Sequence, residues 1–449
     1  MRNFIHNINQ YLFALVTGSL ILFASCTSAF AARGVEDIGR FPQRMDAYLT
    51  AAPDRPIVPY DEQLVYAGEY RTRFFMPWTE ADLAYLDISV DKLASFGNAF
   101  AKKTYFTGDG KPFPPKLMAS LIEDGTVSVR LPLRSAICVA DADARLLPTN
   151  TPLYGSAASA VGARGLLKAD ELQNSAIKPG DPLAVIAESR GGKWLFAATG
   201  SFIGWVEREK AAFVDEDFKD RYMYASYSVF VKDNVRASIE GRNILIKMGA
   251  IFPLDGDSVL VPARDRNGTA RLVRYKPRPG DTAPFPLPFT YKLAARAVGE
   301  MLGEPYGWGG SGGARDCSAA TKDYFAVFGV WLPRNSGEQA KTGVSVPLRG
   351  QSPDSKIRII TESGVPFATL IHMSGHIMLY IGVYNGEPVI AHNAWGVRVN
   401  TPDGKAGRAV IGKMAVTSLR PGREIKNRPK SSLLIDNISS LVYPIGGVR

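Results

Sequence analysis

Residues 305–320 read Pro305-Tyr306-Gly307-Trp308-Gly309-Gly310-Ser311-Gly312-Gly313-Ala314-Arg315-Asp316-Cys317-Ser318-Ala319-Ala320. Five of the eight positions from Tyr306 to Gly313 are glycine, which denies the segment regular structure and lets backbone approach a ligand closely. After Cys317 the pattern turns helical: Ala320, Tyr324, Phe325, Val327 and Phe328 are apolar, and Gly329 stops the run. Cys317 is therefore expected at a helix N-terminus, where unpaired N–H groups and the helix dipole favour an anion and lower a thiol's pKa. The same N–H groups can hold the oxyanion of a tetrahedral intermediate. Just upstream, Thr290 caps a helix that runs through Leu293, Ala297 and Met301.

A thiolate nucleophile needs an imidazole, and the chain has only four histidines: His6, His372, His376 and His392. His6 falls in a leader, so three remain. Residues 377–384 and 388–392 read as two buried strands joined around Asn385-Gly386, with His376 opening the first and His392 closing the second. A hairpin centred on Tyr384 sets the two histidines on one face of the sheet. A tight two-residue turn at Asn385-Gly386 sets them on opposite faces, because a slip of one residue flips every side chain. The chemistry thus demands a wider loop or a bulge between Gly382 and Gly386, after which His376 serves as base for Cys317 and His392 orients its ring. His372 lies on the approach and lacks a partner.

Further out, the chain divides into blocks. Residues 34–133 carry helical signals, with the aromatic run Phe74-Phe75-Met76-Pro77-Trp78 and a helix capped by Ser89 through Val90, Leu93 and Phe96. Residues 135–216 break into short strands parted by turns, which suggests a small closed barrel. Trp194 and Trp205 belong to its core, and Cys138, inside Ala136-Ile137-Cys138-Val139-Ala140, reads as a buried strand thiol. Residues 217–278 repeat the pattern as a second barrel. Residues 279–288 form a stiff proline-rich linker that strand pairing should exclude, and 289–449 hold the chemistry.

The first 31 residues read as a secretory signal: Arg2, an apolar run from Tyr11 to Ala24, and a small-x-small cleavage site at Ala29-Phe30-Ala31. Leu22-Phe23-Ala24-Ser25-Cys26 offers a second reading, a lipoprotein box that would anchor the protein to a membrane through Cys26. Either way the protein is expected outside the cytoplasm, in the periplasm. The 449 residues are 46% hydrophobic and 21% charged, which excludes a disordered or collagen-like chain. A net charge of +10 suits an anionic polymer, while scattered lysines and arginines and an outward address argue against nucleic acid. Three cysteines and four histidines exclude a disulfide scaffold and most metal clusters, so neither metal nor cofactor is expected.

Four motifs, in order, resemble the NlpC/p60 cell-wall cysteine peptidases: PYGWGGSGGARDCSA (305–319), LPRNSGEQ (332–339), GHIMLYIG (375–382) and HNAWG (392–396). Upstream, RLLPTNTPLY, DELQNSAIKPGDPLAV, GGKWLFA and GWV resemble the first of two bacterial SH3-like modules found in multidomain relatives, behind an N-terminal stabilising region. The resemblance implies a multidomain α+β fold, with a papain-like catalytic domain preceded by two SH3-like β-barrels and a helical N-terminal region. It implies a Cys-His-polar triad of Cys317, His376 and His392 that cleaves γ-D-glutamyl–diaminopimelate or related bonds in peptidoglycan stem peptides. Tyr306 would lie beside the nucleophile, and Asp316 and Ser318 would hold the stem peptide's polar end. In relatives the first module walls one side of the cleft. Ala319 replaces the Gly usual after Asp-Cys-Ser, the hairpin is long, and Met373-Ser374-Gly375 replaces the usual Pro-Gly-Asp. Two rivals remain: a Cys-His amidase or acyltransferase, and a catalytically silent wall-binding protein that works through its SH3-like modules.

Overall fold

The computed structural model describes residues 34–49, 51–80, 97–127 and 133–446. The leader, Cys26 and the helix expected from Ser89 lie outside the described residues. The aromatic run 74–78 forms the last turns of a helix, Tyr60–Thr79. Phe74, Phe75 and Trp78 are buried against Ile137 and Val139 of the first β module and Tyr222, Tyr227 and Val229 of the second. Burying each such ring contributes about 1.5–3 kcal/mol. The Trp78 indole N–H donates to the Ala136 carbonyl at 2.7 Å, so this helix fastens the two modules together.

The first module is a seven-stranded antiparallel sheet whose order in space is 173–177, 142–145, 203–207, 194–198, 182–188, 134–138 and 211–213. Trp194, Phe196 and Trp205 fill its interior, and Cys138 is fully buried at the end of a strand, as the sequence suggests. The second is a five-stranded sheet in the order 270–275, 258–264, 251–255, 227–230 and 282–284, beside a hairpin of 235–239 and 242–246. Its last strand corrects an expectation. Thr282–Pro284, inside the proline-rich segment, pairs with Tyr227–Phe230. It does so at the edge of the sheet, where a proline's missing N–H breaks no ladder on the far side.

In the C-terminal block, helices Tyr291–Met301 and Cys317–Val327 pack on a six-stranded antiparallel sheet ordered 344–347, 438–443, 370–373, 376–384, 387–400 and 406–418. Thr290 caps the first helix through the Leu293 N–H, and Tyr324, Phe325 and Phe328 meet Ile377, Leu379 and Val416 in one core. Strand Ala406–Ser418 is an edge, and Asp37 and Gln43 lie beside it. The Gln43 amide both donates to the Val416 carbonyl and accepts from the Val416 N–H, each at 2.9 Å. One Asp37 carboxylate oxygen accepts from the Ser418 N–H at 2.8 Å and its hydroxyl at 2.7 Å. These side chains occupy backbone groups that would otherwise template a foreign strand.

Candidate active site

The glycine-rich loop takes left-handed backbone at Gly309 (φ +59°) and Gly310 (φ +85°). A Cβ on Gly309 would stand 2.7 Å from the Gln173 carbonyl, and one on Gly310 would stand 2.6 Å from the Ala176 side chain. The close approach expected toward a ligand is therefore made toward a strand of the first β module. It docks that module against the segment that carries Cys317.

Arg315 follows, buried at the junction of the blocks. Its guanidinium pairs with Asp233 at 2.7 Å, Glu304 at 2.9 Å and Asp323 at 2.7 Å, and Lys247 and Lys178 complete the cluster. Burial pushes the Asp323 pKa up, but Lys178, Arg315 and Lys322 outweigh it and hold it at about 2. The Arg315 carbonyl accepts from Gly307 N–H and from the Asn393 amide, both at 2.8 Å, which ties the loop to strand Glu387–Asn400.

Asp316 is the N-cap of the Cys317–Val327 helix, accepting from the Ala319 N–H at 2.9 Å. Arg334 grips the same carboxylate twice, at 2.6 and 3.0 Å, and donates to the Ser318 hydroxyl at 2.9 Å. Ser318 donates to Asp316 at 3.1 Å. The two residues expected to hold a substrate's polar end thus have their side chains engaged within the protein, because a buried carboxylate is stable only with its charge matched. Arg334 and Gln339, which fixes the Ser318 and Pro333 carbonyls, give the 332–339 motif a physical role that the sequence reading did not assign.

Cys317 opens that helix and is 7% exposed. The N–H groups of Ile377 and Ser318 face its sulfur. Burial first, then the Asp316 charge, pushes the thiol up to about 12, against the smaller lowering by those N–H groups and Arg334. Burial thus opposes the acidification expected from the helix terminus and favours the uncharged thiol.

Strands His376–Tyr384 and Glu387–Asn400 are joined by the tight turn, with Asn385 at φ +48° and Gly386 at φ +80°. That turn alone would part the histidines. The register, however, runs Gly382↔Val389 and then Tyr380↔Ile390, so Ile381 is an extra residue on its strand. This bulge shifts the pairing by one and returns His376 to the face of His392. His376 Nε2 lies 2.8 Å from His392 Nδ1. Because Ile377 sits against the sulfur, the same strand start brings Cys317 and His376 into one neighbourhood.

Burial lowers the His376 pKa to about 4, with Asp316 opposing and His372 adding to the effect. Burial, then His376, holds His392 well below the usual imidazole range. His372 stands apart on Ser439, 2.9 Å away. Burial raises the Tyr306 pKa, with Cys317 and then Asp316 adding to the effect. Tyr306 also meets Trp395 edge-on at 6.3 Å, and Trp395 donates to Gly165 of the first module at 2.8 Å. A cavity of about 460 Å³ lies between that module and the loop, lined by Asp143, Lys178, Trp194, Gly312, Ala319 and Lys322 among others.

Both histidines have folded pKa values below the unfolded value of about 6.5. The unfolded chain therefore binds more protons between pH 6.5 and about 4, and stability falls as pH drops through that window. Urea midpoints measured from pH 7 to 4.5 are expected to lose on the order of 1–3 kcal/mol that His376→Gln, His392→Gln variants do not lose. A wild-type midpoint that stays flat over this range would contradict the buried neutral pair.

Comparison with known proteins adds three family matches. Residues 15–128 match the NLPC_P60 stabilising domain, 168–207 the SH3 domain of SH3b1 type, and 303–409 the NlpC/P60 family. A gamma-D-glutamyl-L-lysine dipeptidyl-peptidase of Bacillus subtilis is 39% identical over 83 residues, covering 18% of this chain and 26% of the relative. Peptidoglycan endopeptidase RipB of Mycobacterium tuberculosis is 28% identical over 181 residues, covering 37% of this chain and 65% of the relative. These matches span less than two thirds of either relative's length. A solved NlpC/P60 endopeptidase from Photobacterium damselae subsp. piscicida shares the fold over 91% of this chain and 98% of its own, with a TM-score of 0.80 at 22% identity.

Proposed function

We propose that this chain, which carries an NlpC/P60 domain together with that family's N-terminal stabilising domain and an SH3b-type module, is a cysteine endopeptidase of peptidoglycan stem peptides. The observation that carries the reading is the 2.8 Å pairing of buried His392 with half-buried His376, which opens the strand whose second residue faces the Cys317 sulfur. His376 takes the thiol proton as sulfur attacks the amide carbonyl carbon, which suits a thiol and an imidazole that both rest uncharged. The Ala319 and Ala320 N–H groups are taken by Asp316. The Cys317 N–H, the first of the helix, has no acceptor within it and supplies the positive end that an oxyanion needs. His376 then protonates the leaving amine, and water hydrolyses the thioester.

The bond we favour is the γ-D-glutamyl–diaminopimelate link, a choice supported by the γ-D-glutamyl specificity in the Bacillus subtilis relative's name. The leader-like residues 1–31 and the positive charge support work outside the cytoplasm on an anionic wall. Digestion of defined stem peptides, with and without a free amino terminus, followed by mass spectrometry, tests the reading. Fragments split after D-glutamate support it. Intact stem peptides released from glycan would instead indicate an amidase, and wall binding without any product would indicate a silent binding protein.

A further inference from the structure

Thr417 is fully buried near the end of the edge strand Ala406–Ser418. Its hydroxyl oxygen lies 2.9 Å from the Ser418 carbonyl and 3.1 Å from His392 Nε2. A carbonyl can only accept, so the single hydroxyl proton goes to Ser418. The hydroxyl then meets His392 with a lone pair, and His392 Nε2 must carry the hydrogen. A neutral imidazole holds one N–H, so His392 Nδ1 is bare. Across 2.8 Å it can only accept from His376 Nε2. That leaves His376 Nδ1 as its unprotonated nitrogen.

We infer that Thr417 is a positioning residue that sets the tautomers of both histidines, so that His376 offers Nδ1 as the base. The inference rests on the proposed pairing of Cys317 with His376 for its effect on rate, but not for the tautomers themselves. Burial, which keeps both rings uncharged, supports it independently. So does the anchoring of the acceptor: the Ser418 N–H and hydroxyl are held by Asp37, and the Val416 peptide is held by Gln43. The residue that carries the acceptor is thereby pinned through its own N–H and its hydroxyl.

The test uses the full chain in two measurements. Nitrogen-15 correlation spectra of the wild-type imidazoles at pH 7.5 should show His392 protonated at Nε2 and His376 protonated at Nε2. Finding the hydrogen on His392 Nδ1 overturns the inference without any variant. Thr417→Val keeps the shape and removes the acceptor. It should lower kcat about 10- to 100-fold with KM within about twofold, and should redistribute the His392 tautomers. Thr417→Ser should restore both readings. A serine variant as impaired as the valine one, or a valine variant with wild-type kcat and tautomers, means that the side chain acts only by packing. Wild-type tautomers as expected in a protein that cleaves no stem peptide would remove the peptidase reading and leave this one standing.

Discussion

Cys317→Ala is expected to release no new amino groups from stem peptides, a loss of more than about 10⁴-fold, while folding almost unchanged. The sulfur sits in a buried helix start where only a small hydrophobe is needed for packing, so removing it leaves little strain. Chemically nothing replaces it. Burial and the Asp316 charge raise the thiol's pKa, and in the proposed mechanism His376 takes its proton as the carbon–sulfur bond forms. A serine hydroxyl at the same place is a far weaker acid, so Cys317→Ser should be nearly as inert. Amine release by the alanine variant within about tenfold of wild type would remove Cys317 from the chemistry.

Arg315→Ala is expected to be the most damaging change outside the reacting groups, at about 3–5 kcal/mol. It would leave Asp233, Glu304 and Asp323 buried against one another with only Lys247 and Lys178 to balance them. The guanidinium's planar fork reaches three carboxylates at once, which a lysine ammonium cannot, so Arg315→Lys should recover only part of the loss. Because Asp233 belongs to the second β module, the damage should appear in both a denaturation midpoint and the protease resistance of that module's junction. A loss below about 1 kcal/mol would mean that the lysines suffice.

The loop–helix junction at Cys317 was legible because its signals are local: a glycine run, an N-cap and a helical period within some twenty residues. The two histidines were legible by their scarcity. What the local pattern missed was set by distant partners. The acidification expected from the helix dipole is opposed by burial, a property of the folded core around Phe325 and Ile377. The bulge at Ile381 carries no residue signature, although the geometry it produces was demanded by parity. Asp316 and Ser318 looked outward until Arg334 was found against them. Thr417, Asp37 and Gln43 had no motif at all, since their meaning lies in contacts across 25 to 381 positions. The proline-rich segment was misjudged because edge and interior strands cannot be told apart in sequence.

The stretch from Asp37 to Gln43 precedes the strand that it clasps by 373 to 381 positions. No partial chain can close that clasp. A chain trimmed of residues 37–43 would keep an open β edge and leave the Ser418 N–H without its acceptor. The strand that carries Thr417 is thus completed by a segment hundreds of positions away from it.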